Sequence, residues 1–357
     1  MLSWLRKKMK TIMIVVAVLF AASMFYGLSF SGLPGGGGGQ PSNVLAKVNG
    51  RAVDPMRYQE LINRIAQNFG QNATPSDMAM IDNLALGQAV DFTLLQQAAE
   101  KKVKVSGGEI DAALDSIMKQ QNIPSKRELE NALKKIGLSV GKFRDFIKGD
   151  IIVQKLQMKL QAEVKVTPDD LREVMRKFPK EKEPEKIALR EKQQNAFRSF
   201  YSEIRSKAKI EIVNPLLKAH DFRFRGRLNE AIAEYQKAIS QMPTNPMIHV
   251  YLGDAYMAAG RKDLALAEYE NAVKVEGGNP DLYLVLGKVY LGMGEKGLAT
   301  DQFRKASLIA GDNKATHEKL LKLFQQMKRP AEAAREQAEI KRLEKKEKFE
   351  KEITGSR

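Results

Sequence analysis

Apolar positions run uninterrupted by charge from Thr11 to Leu33, alternate with polar ones around Val44–Val48, and then recur at three- and four-residue spacing almost to the end of the chain. The first pattern predicts a membrane-spanning helix, the second a strand, and the third a mainly helical protein. The stretch TIMIVVAVLFAASMFYGLSFSGL, residues 11–33, has 23 residues, and about 20 cross a hydrocarbon core as a helix. Arg6, Lys7, Lys8 and Lys10 precede it, and the next charge is Lys47. Basic residues on that side place residues 1–10 in the cytoplasm and everything after the span outside, the arrangement of a single-pass bacterial inner-membrane protein with its bulk in the periplasm. The rival reading is a signal peptide cleaved near Ala21–Ser23; the apolar run continues through Phe25, Tyr26, Leu28 and Phe30, which favours an uncleaved anchor. Residues 34–43 are a glycine-rich linker with a reach of about 17 Å by random-coil scaling. The linker lacks the Gly-Lys-Ser/Thr ending of a phosphate loop.

Beyond the linker, Val44, Ala46 and Val48 share one face of a short strand that ends at an Asn49-Gly50 turn signal. A helix starts at Asp54-Pro55 and carries Leu61, Ile62, Ile65 and Phe69 at helical spacing. Further helices are predicted at about 76–103, 107–121, 125–136 and 139–163, with Ser106 and Ser139 as caps and Ser125 with Glu128 as a capping box. Val140, Phe143, Phe146, Ile147, Ile151 and Leu156 form the core side of the last of these. Thr167-Pro168 opens another helix, where Asp169 and Asp170 favour the dipole.

The segments LAKVNGRAVDPMRYQELINRI, AVDFTLLQQAAEKKVKVSGGEIDAAL, LSVGKFRDFIKGDIIVQKL and EVKVTPDDLREVM, in that order, resemble the N-terminal module of the SurA/PpiD/PrsA group of envelope chaperones and peptidyl-prolyl isomerases. The resemblance covers residues 44–213 and lies in segment order, with no invariant catalytic residue. In that family a parvulin-type isomerase domain follows the last segment, after which a helix and a strand return to close the module. Here RKFPKEKEPEKIALREK, residues 176–192, leads directly into a helical stretch over about 185–208 and then AKIEIV. A parvulin domain needs on the order of a hundred residues to bury a core. The resemblance therefore implies a module without its enzyme, closed by a two-stranded sheet in which Ile210 and Ile212 pair with Val44–Val48.

From Ile212 the pattern repeats every 34 residues, with starts at 212, 246, 280 and 314. The second copy has Leu252-Gly253, Tyr256, Gly260, Ala265, Tyr269 and Ala272; the third has Leu286-Gly287, Tyr290, Gly294, Ala299, Phe303 and Ala306 at the same offsets. This is similar to the tetratricopeptide repeat, an α-solenoid of helix pairs. The first copy is partial, and the fourth keeps Leu320, Phe324 and Ala333 but neither glycine, as a capping repeat does. The repeats occupy residues 214–340, and 341–357 form a mixed-charge tail. The resemblance implies a concave groove lined by the first helix of each repeat, and by repeat position Leu216, His220, Arg223, Val250, Asp254, Met257, Leu284, Lys288 and Leu291 face it. The Lys/Asn pair with which cytosolic chaperone-binding members clamp a terminal carboxylate is absent at Leu216/His220 and Val250/Asp254, which disfavours a cytosolic co-chaperone role.

Composition adds few constraints. The charge of +16 comes from 59 basic and 43 acidic residues that are mostly interspersed, without a nucleic-acid motif. The chain has no cysteine, so disulfides, thiol catalysis and lipoprotein anchoring are excluded. GMGEKG, residues 292–297, fits a dinucleotide pattern but follows a helix and coincides with a repeat turn. His249 and His317 fall at one repeat position and read as packing residues; no metal site, cofactor or Ser/His/Asp set is expected. Met56, Met78, Met80, Met118, Met158 and Met175 offer adaptable apolar surface for unfolded segments, although core gap-filling accounts for most of them. The fold expected is mainly α: one transmembrane helix, a SurA-N-like module, then the solenoid. The function expected is a non-catalytic, membrane-anchored periplasmic chaperone or assembly factor for unfolded exported or outer-membrane proteins. The alternative is a scaffold whose repeats hold one folded envelope partner; prolyl isomerisation ranks third.

Overall fold

The computed structural model describes residues 44–69, 74–180 and 182–354, with side chains to residue 350. The expected cytoplasmic tail, span and linker lie outside the described residues. Among the described residues no helix is long and apolar enough to cross a membrane. The described chain divides into two units, one of residues 44–69 and 80–217, the other of 218–354 with Thr74–Ala79.

The first unit opens on a three-stranded antiparallel sheet of β1 (Ala46–Val48), β2 (Arg51–Ala52) and β3 (Ile210–Ile212), in the order β2-β1-β3. Val48 pairs with Ile210 and Ala46 with Ile212, the long-range closure expected. Two strands were expected and three are present. Asn49 and Gly50 adopt φ of 50° and 84°, the left-handed pair of a two-residue hairpin turn, which folds the chain straight back onto β1. The closure extends past the strands. Asn49 N–H donates to the Lys209 carbonyl at 2.8 Å, the Lys209 N–H donates to the Asn49 side chain at 2.9 Å, and the Val213 N–H donates to the Leu45 carbonyl at 3.0 Å. Gln97 ties the sheet to its covering helix by donating to the Val48 carbonyl at 2.7 Å.

Seven helices complete the sequence of elements up to β3: α1 (Pro55–Ala66), α2 (Pro75–Glu100), α3 (Gly107–Gln120), α4 (Lys126–Lys135), α5 (Val140–Ala162), α6 (Pro168–Lys177) and α7 (Pro184–Ser206). Their starts follow the caps in the sequence. Ser106 and Glu109 form a reciprocal capping box, Ser139 accepts from the Lys142 N–H, and Thr167 and Asp170 form a second box. Ser125 accepts from the Glu128 N–H, but the return bond expected from Glu128 is not made, so that cap is only half of a box. Ile110, Leu114, Ile117, Leu129, Leu133, Phe143, Phe146, Ile147 and Ile151 form the main core, with Val140 at its margin. A smaller cluster of Ala99, Ile152 and Leu156 takes Phe200 against it. Between α6 and α7 lie only residues 178–183.

The second unit consists of helix pairs: α8 (Pro215–Phe224) with α9 (Leu228–Gln241), α10 (Pro246–Ala258) with α11 (Lys262–Val275), α12 (Pro280–Gly292) with α13 (Lys296–Ala310), and α14 (Lys314–Gln326) with α15 (Pro330–Thr354). Each of α10, α12 and α14 starts from an asparagine cap, Asn245, Asn279 or Asn313, at the 34-residue period. The glycines at the eighth repeat position exist for close approach. A Cβ built on Gly253 would lie 2.8 Å from the Tyr269 ring, and one on Gly287 would lie 2.4 Å from the Phe303 ring. Only glycine lets the two helices of each pair meet through that aromatic.

Candidate functional site

Along the repeats, polar bonds join each pair to the next with the same period. Gln236 of α9 donates to the Tyr256 hydroxyl of α10 at 3.2 Å, and one repeat later the Tyr290 hydroxyl of α12 donates to Glu270 of α11 at 3.0 Å. Within pairs, His249 meets Glu268 at 2.7 Å and His317 meets Glu336 at 2.6 Å, again at equivalent positions. The second of these is buried: the His317 Nε2–H donates to the Gly311 carbonyl at 3.1 Å, and the Ser307 hydroxyl donates to the other Glu336 oxygen at 2.7 Å. These histidines lock helices together. Among the described residues no group of three or more His, Cys, Asp or Glu side chains is arranged to hold a metal ion.

The nine residues expected at the groove separate into two sets. His220, Val250 and Leu284 are buried. His220 sits edge-on to Tyr251 and Tyr235 with ring centroids 4.8 and 5.6 Å away, and its Nδ1 is 2.8 Å from the Tyr235 hydroxyl. These three serve the packing between repeats and present no surface to a partner. Leu216, Arg223, Asp254 and Leu291 are half-buried, while Met257 and Lys288 are exposed. Arg223 and Asp254, from successive repeats, approach to 3.3 Å, and the Tyr269 hydroxyl donates to the other Asp254 oxygen at 2.7 Å. Burial pushes the Asp254 carboxyl up, against the pull of the Tyr269 bond and of Arg223. Burial also raises the Tyr269 phenol, with the Asp254 charge adding to it. Met257 and Leu291 occupy one repeat position, Asp254 and Lys288 another. What remains accessible is therefore apolar and mixed-charge surface.

In the first unit the side chain that sequence reading missed is Arg57. It is buried on α1, donates to Glu60 at 3.0 Å and to Asp150 of α5 at 2.6 Å, and lies 4.0 and 3.9 Å from the Phe92 and Phe146 ring centroids. Desolvation raises the Asp150 carboxyl to about 6, with Arg57 opposing and the Glu60 charge reinforcing. Its side chain nevertheless keeps 34% of its surface open to water. A signal was present, because Arg57 precedes Leu61 by four residues and so falls on the apolar stripe of α1. A buried arginine stacked on two rings and held by two carboxylates is a structural tie between α1, α2 and α5.

Two family models match separate parts of the chain. Residues 1–157 match the model of the SurA-like N-terminal domain family, and residues 219–260 and 253–294 match that of the TPR repeat. Over 117 residues the chain is 29% identical to the chaperone SurA of Nitrosospira multiformis, covering 32% of this chain and 26% of that protein. The chain thus spans about a quarter of the length of that curated relative. Among solved structures, the crystal structure of MamA is similar at 21% identity and a TM-score of 0.30, covering 37% of this chain and 77% of the other. The TPR2AB-domain:pHSP90 complex of yeast Sti1 is similar at 13% identity and a TM-score of 0.29, with 78% and 85% covered. The chain joins a SurA-like N-terminal domain to a stack of tetratricopeptide repeats.

Proposed function

We propose that the protein is a non-catalytic chaperone or assembly factor that holds unfolded exported or outer-membrane proteins. In this reading residues 11–33 anchor it in a bacterial inner membrane, with the N-terminus cytoplasmic and the folded units in the periplasm. The observation that carries the proposal is the closure of the SurA-like unit: β3 returns to β1 while only residues 178–183 separate α6 from α7. That gap is too short for a second folded domain, so no isomerase domain is inserted at that point, which supports the non-catalytic reading. Full-length protein in nanodiscs should delay aggregation of an unfolded outer-membrane protein. It should not accelerate proline isomerisation in a tetrapeptide, whose barrier is about 18–20 kcal/mol. Isomerase activity overturns the non-catalytic reading. Failure to hold the client supports the scaffold reading instead, which the exposed Met257 and Lys288 of successive repeats favour.

A further inference from the structure

Asn49-Gly50 is the only Asn-Gly pair in the sequence. Asparagine before glycine is the pair most open to intramolecular deamidation, because glycine has no side chain to hinder the approach of its backbone nitrogen. That nitrogen, once its proton has passed to solvent base, attacks Asn49 Cγ. The N–Cγ bond forms, the Cγ–Nδ2 bond breaks, and Nδ2 leaves as ammonia. The resulting five-membered succinimide takes up one water and opens to aspartate or isoaspartate. Water has access to the turn, since Asn49 and Gly50 are both exposed.

What restrains Asn49 is bonding, not burial. Its Oδ1 accepts from the Lys209 N–H at 2.9 Å, and its Nδ2–H donates to Gln97 Oε1 at 2.9 Å. Its backbone N–H donates to the Lys209 carbonyl at 2.8 Å. The residue before β3 and a side chain of α2 thus hold both ends of one amide. Attack by Gly50 turns the planar Cγ tetrahedral and expels Nδ2, so neither side-chain bond survives the step.

The product cannot take the place of Asn49. Aspartate presents an oxygen to Gln97 Oε1 where Nδ2–H had donated. Gln97 cannot turn its own amide to supply a hydrogen there without giving up the bond from its Nε2 to the Val48 carbonyl at 2.7 Å. Isoaspartate sets one more backbone atom into the two-residue turn between Val48 and Arg51, which pair across it.

We infer that Asn49 is a deamidation site guarded by the β1–β3 closure. While Lys209 and Gln97 hold the amide it is protected; when the closure stays open, the turn converts to a form that closes less tightly. Prolonged opening of the first unit thereby becomes irreversible.

The test incubates full-length protein in nanodiscs at mildly alkaline pH in heavy-oxygen water, and peptide mapping by mass spectrometry reads the label taken up at residue 49. Asn49 should deamidate about tenfold or more slowly in the folded protein than in the same protein unfolded in urea. Gln97→Met keeps the length of the side chain and removes its amide, and it should speed the reaction by about tenfold, the equivalent of one lost hydrogen bond. Gln97→Glu still accepts from Nδ2–H and should stay closer to the parent. Gln97 is half-buried, so circular dichroism of both variants should match the parent. Asn49→Asp, one of the two products, should raise hydrogen exchange at the Val213 amide about tenfold, because the Val213 bond to the Leu45 carbonyl reports the closure. Equal deamidation in folded and unfolded protein, or a parental rate in Gln97→Met, overturns the guard. Unchanged Val213 exchange in Asn49→Asp overturns the link between the modification and the closure.

Discussion

Replacing Gly287 by alanine adds a single methyl group and should loosen the third repeat. The new Cβ would lie 2.4, 2.7 and 3.0 Å from Cε1, Cδ1 and Cζ of Phe303. Carbon atoms rest at about 3.5–4.0 Å, so α12 and α13 must part by about 1 Å or the ring must turn. The ring is not free to turn, because Phe303 is fully buried and stands edge-on to Phe324 at 6.0 Å. Overpacking of this kind costs about 1–3 kcal/mol. The gain in helix propensity from Gly to Ala returns up to about 1 kcal/mol. The net expectation is a loss of ~1–2 kcal/mol in the free energy of opening α12 and α13, read by amide hydrogen exchange at fixed pH on the full-length protein. A methyl group added at Gly292, in the same helix, would meet nothing within 4 Å, so Gly292→Ala should leave protection unchanged or raise it. Gly253→Ala, with its nearest atom at 2.8 Å, should cost less than Gly287→Ala. Adding Phe303→Leu to Gly287→Ala should recover part of the loss. If Gly287→Ala exchanges no faster than Gly292→Ala, the close approach is not what fixes glycine at this position.

Replacing residues 209–213 by a Gly/Ser stretch of equal length should destabilise the first unit by ~3 kcal/mol, the order expected for lost apolar burial and several backbone bonds. The urea midpoint of the Ile147 and Ile151 methyl signals in NMR measures it, and an unchanged midpoint means that the β1–β3 pairing is not structural. Asp150 should make the same unit less stable as pH rises from 5 to 7.5. Its folded pKa of about 6 lies above the ordinary aspartate value of 3.8, so its contribution is full below that ordinary value and is lost as pH rises through about 6. Linkage sets a ceiling of ~3 kcal/mol, and water at the open third of the side chain reduces it to about 1 kcal/mol. No histidine lies in this unit to titrate in the same window. Asp150→Asn should therefore flatten the pH dependence of those methyl midpoints, and an equal slope in both proteins refutes the assignment.

Helix starts were readable because they are local. Ser106, Ser139 and Thr167 cap their helices through bonds three residues away, and short polar side chains before an apolar run signal this directly. The repeat period located every helix pair for the same reason, with Gly253 and Gly287 marking where the helices touch. Depth was not readable. His220, Val250 and Leu284 sit at positions that face a groove in a generic repeat, yet the neighbouring helices cover them here. Repeat position gives a direction around one helix; burial depends on what the next helix brings. Arg57 escaped notice for a related reason. An arginine within an apolar stripe looks like an interruption until α2 and α5 supply Phe92, Phe146 and Asp150 around it. The strand β2 was missed because two residues carry too little alternation to be seen.

The closure of the first unit also bears on how far its stability depends on the length of the α6–α7 connection. Asn49 and Lys209 bond across a separation of 160 residues, so the chain loses loop entropy to bring β3 home. That loss grows only with the logarithm of loop length. A further insertion of about one hundred residues between α6 and α7 would raise it by roughly 0.4 kcal/mol. The bonds that hold the closure are made by β1, β3, Asn49 and Leu45, none of which lies near the α6–α7 connection in sequence. Presence or absence of a domain at that connection is therefore almost neutral for the unit's stability. The unit's closure is thus held by β1 and β3 whatever the length of that connection.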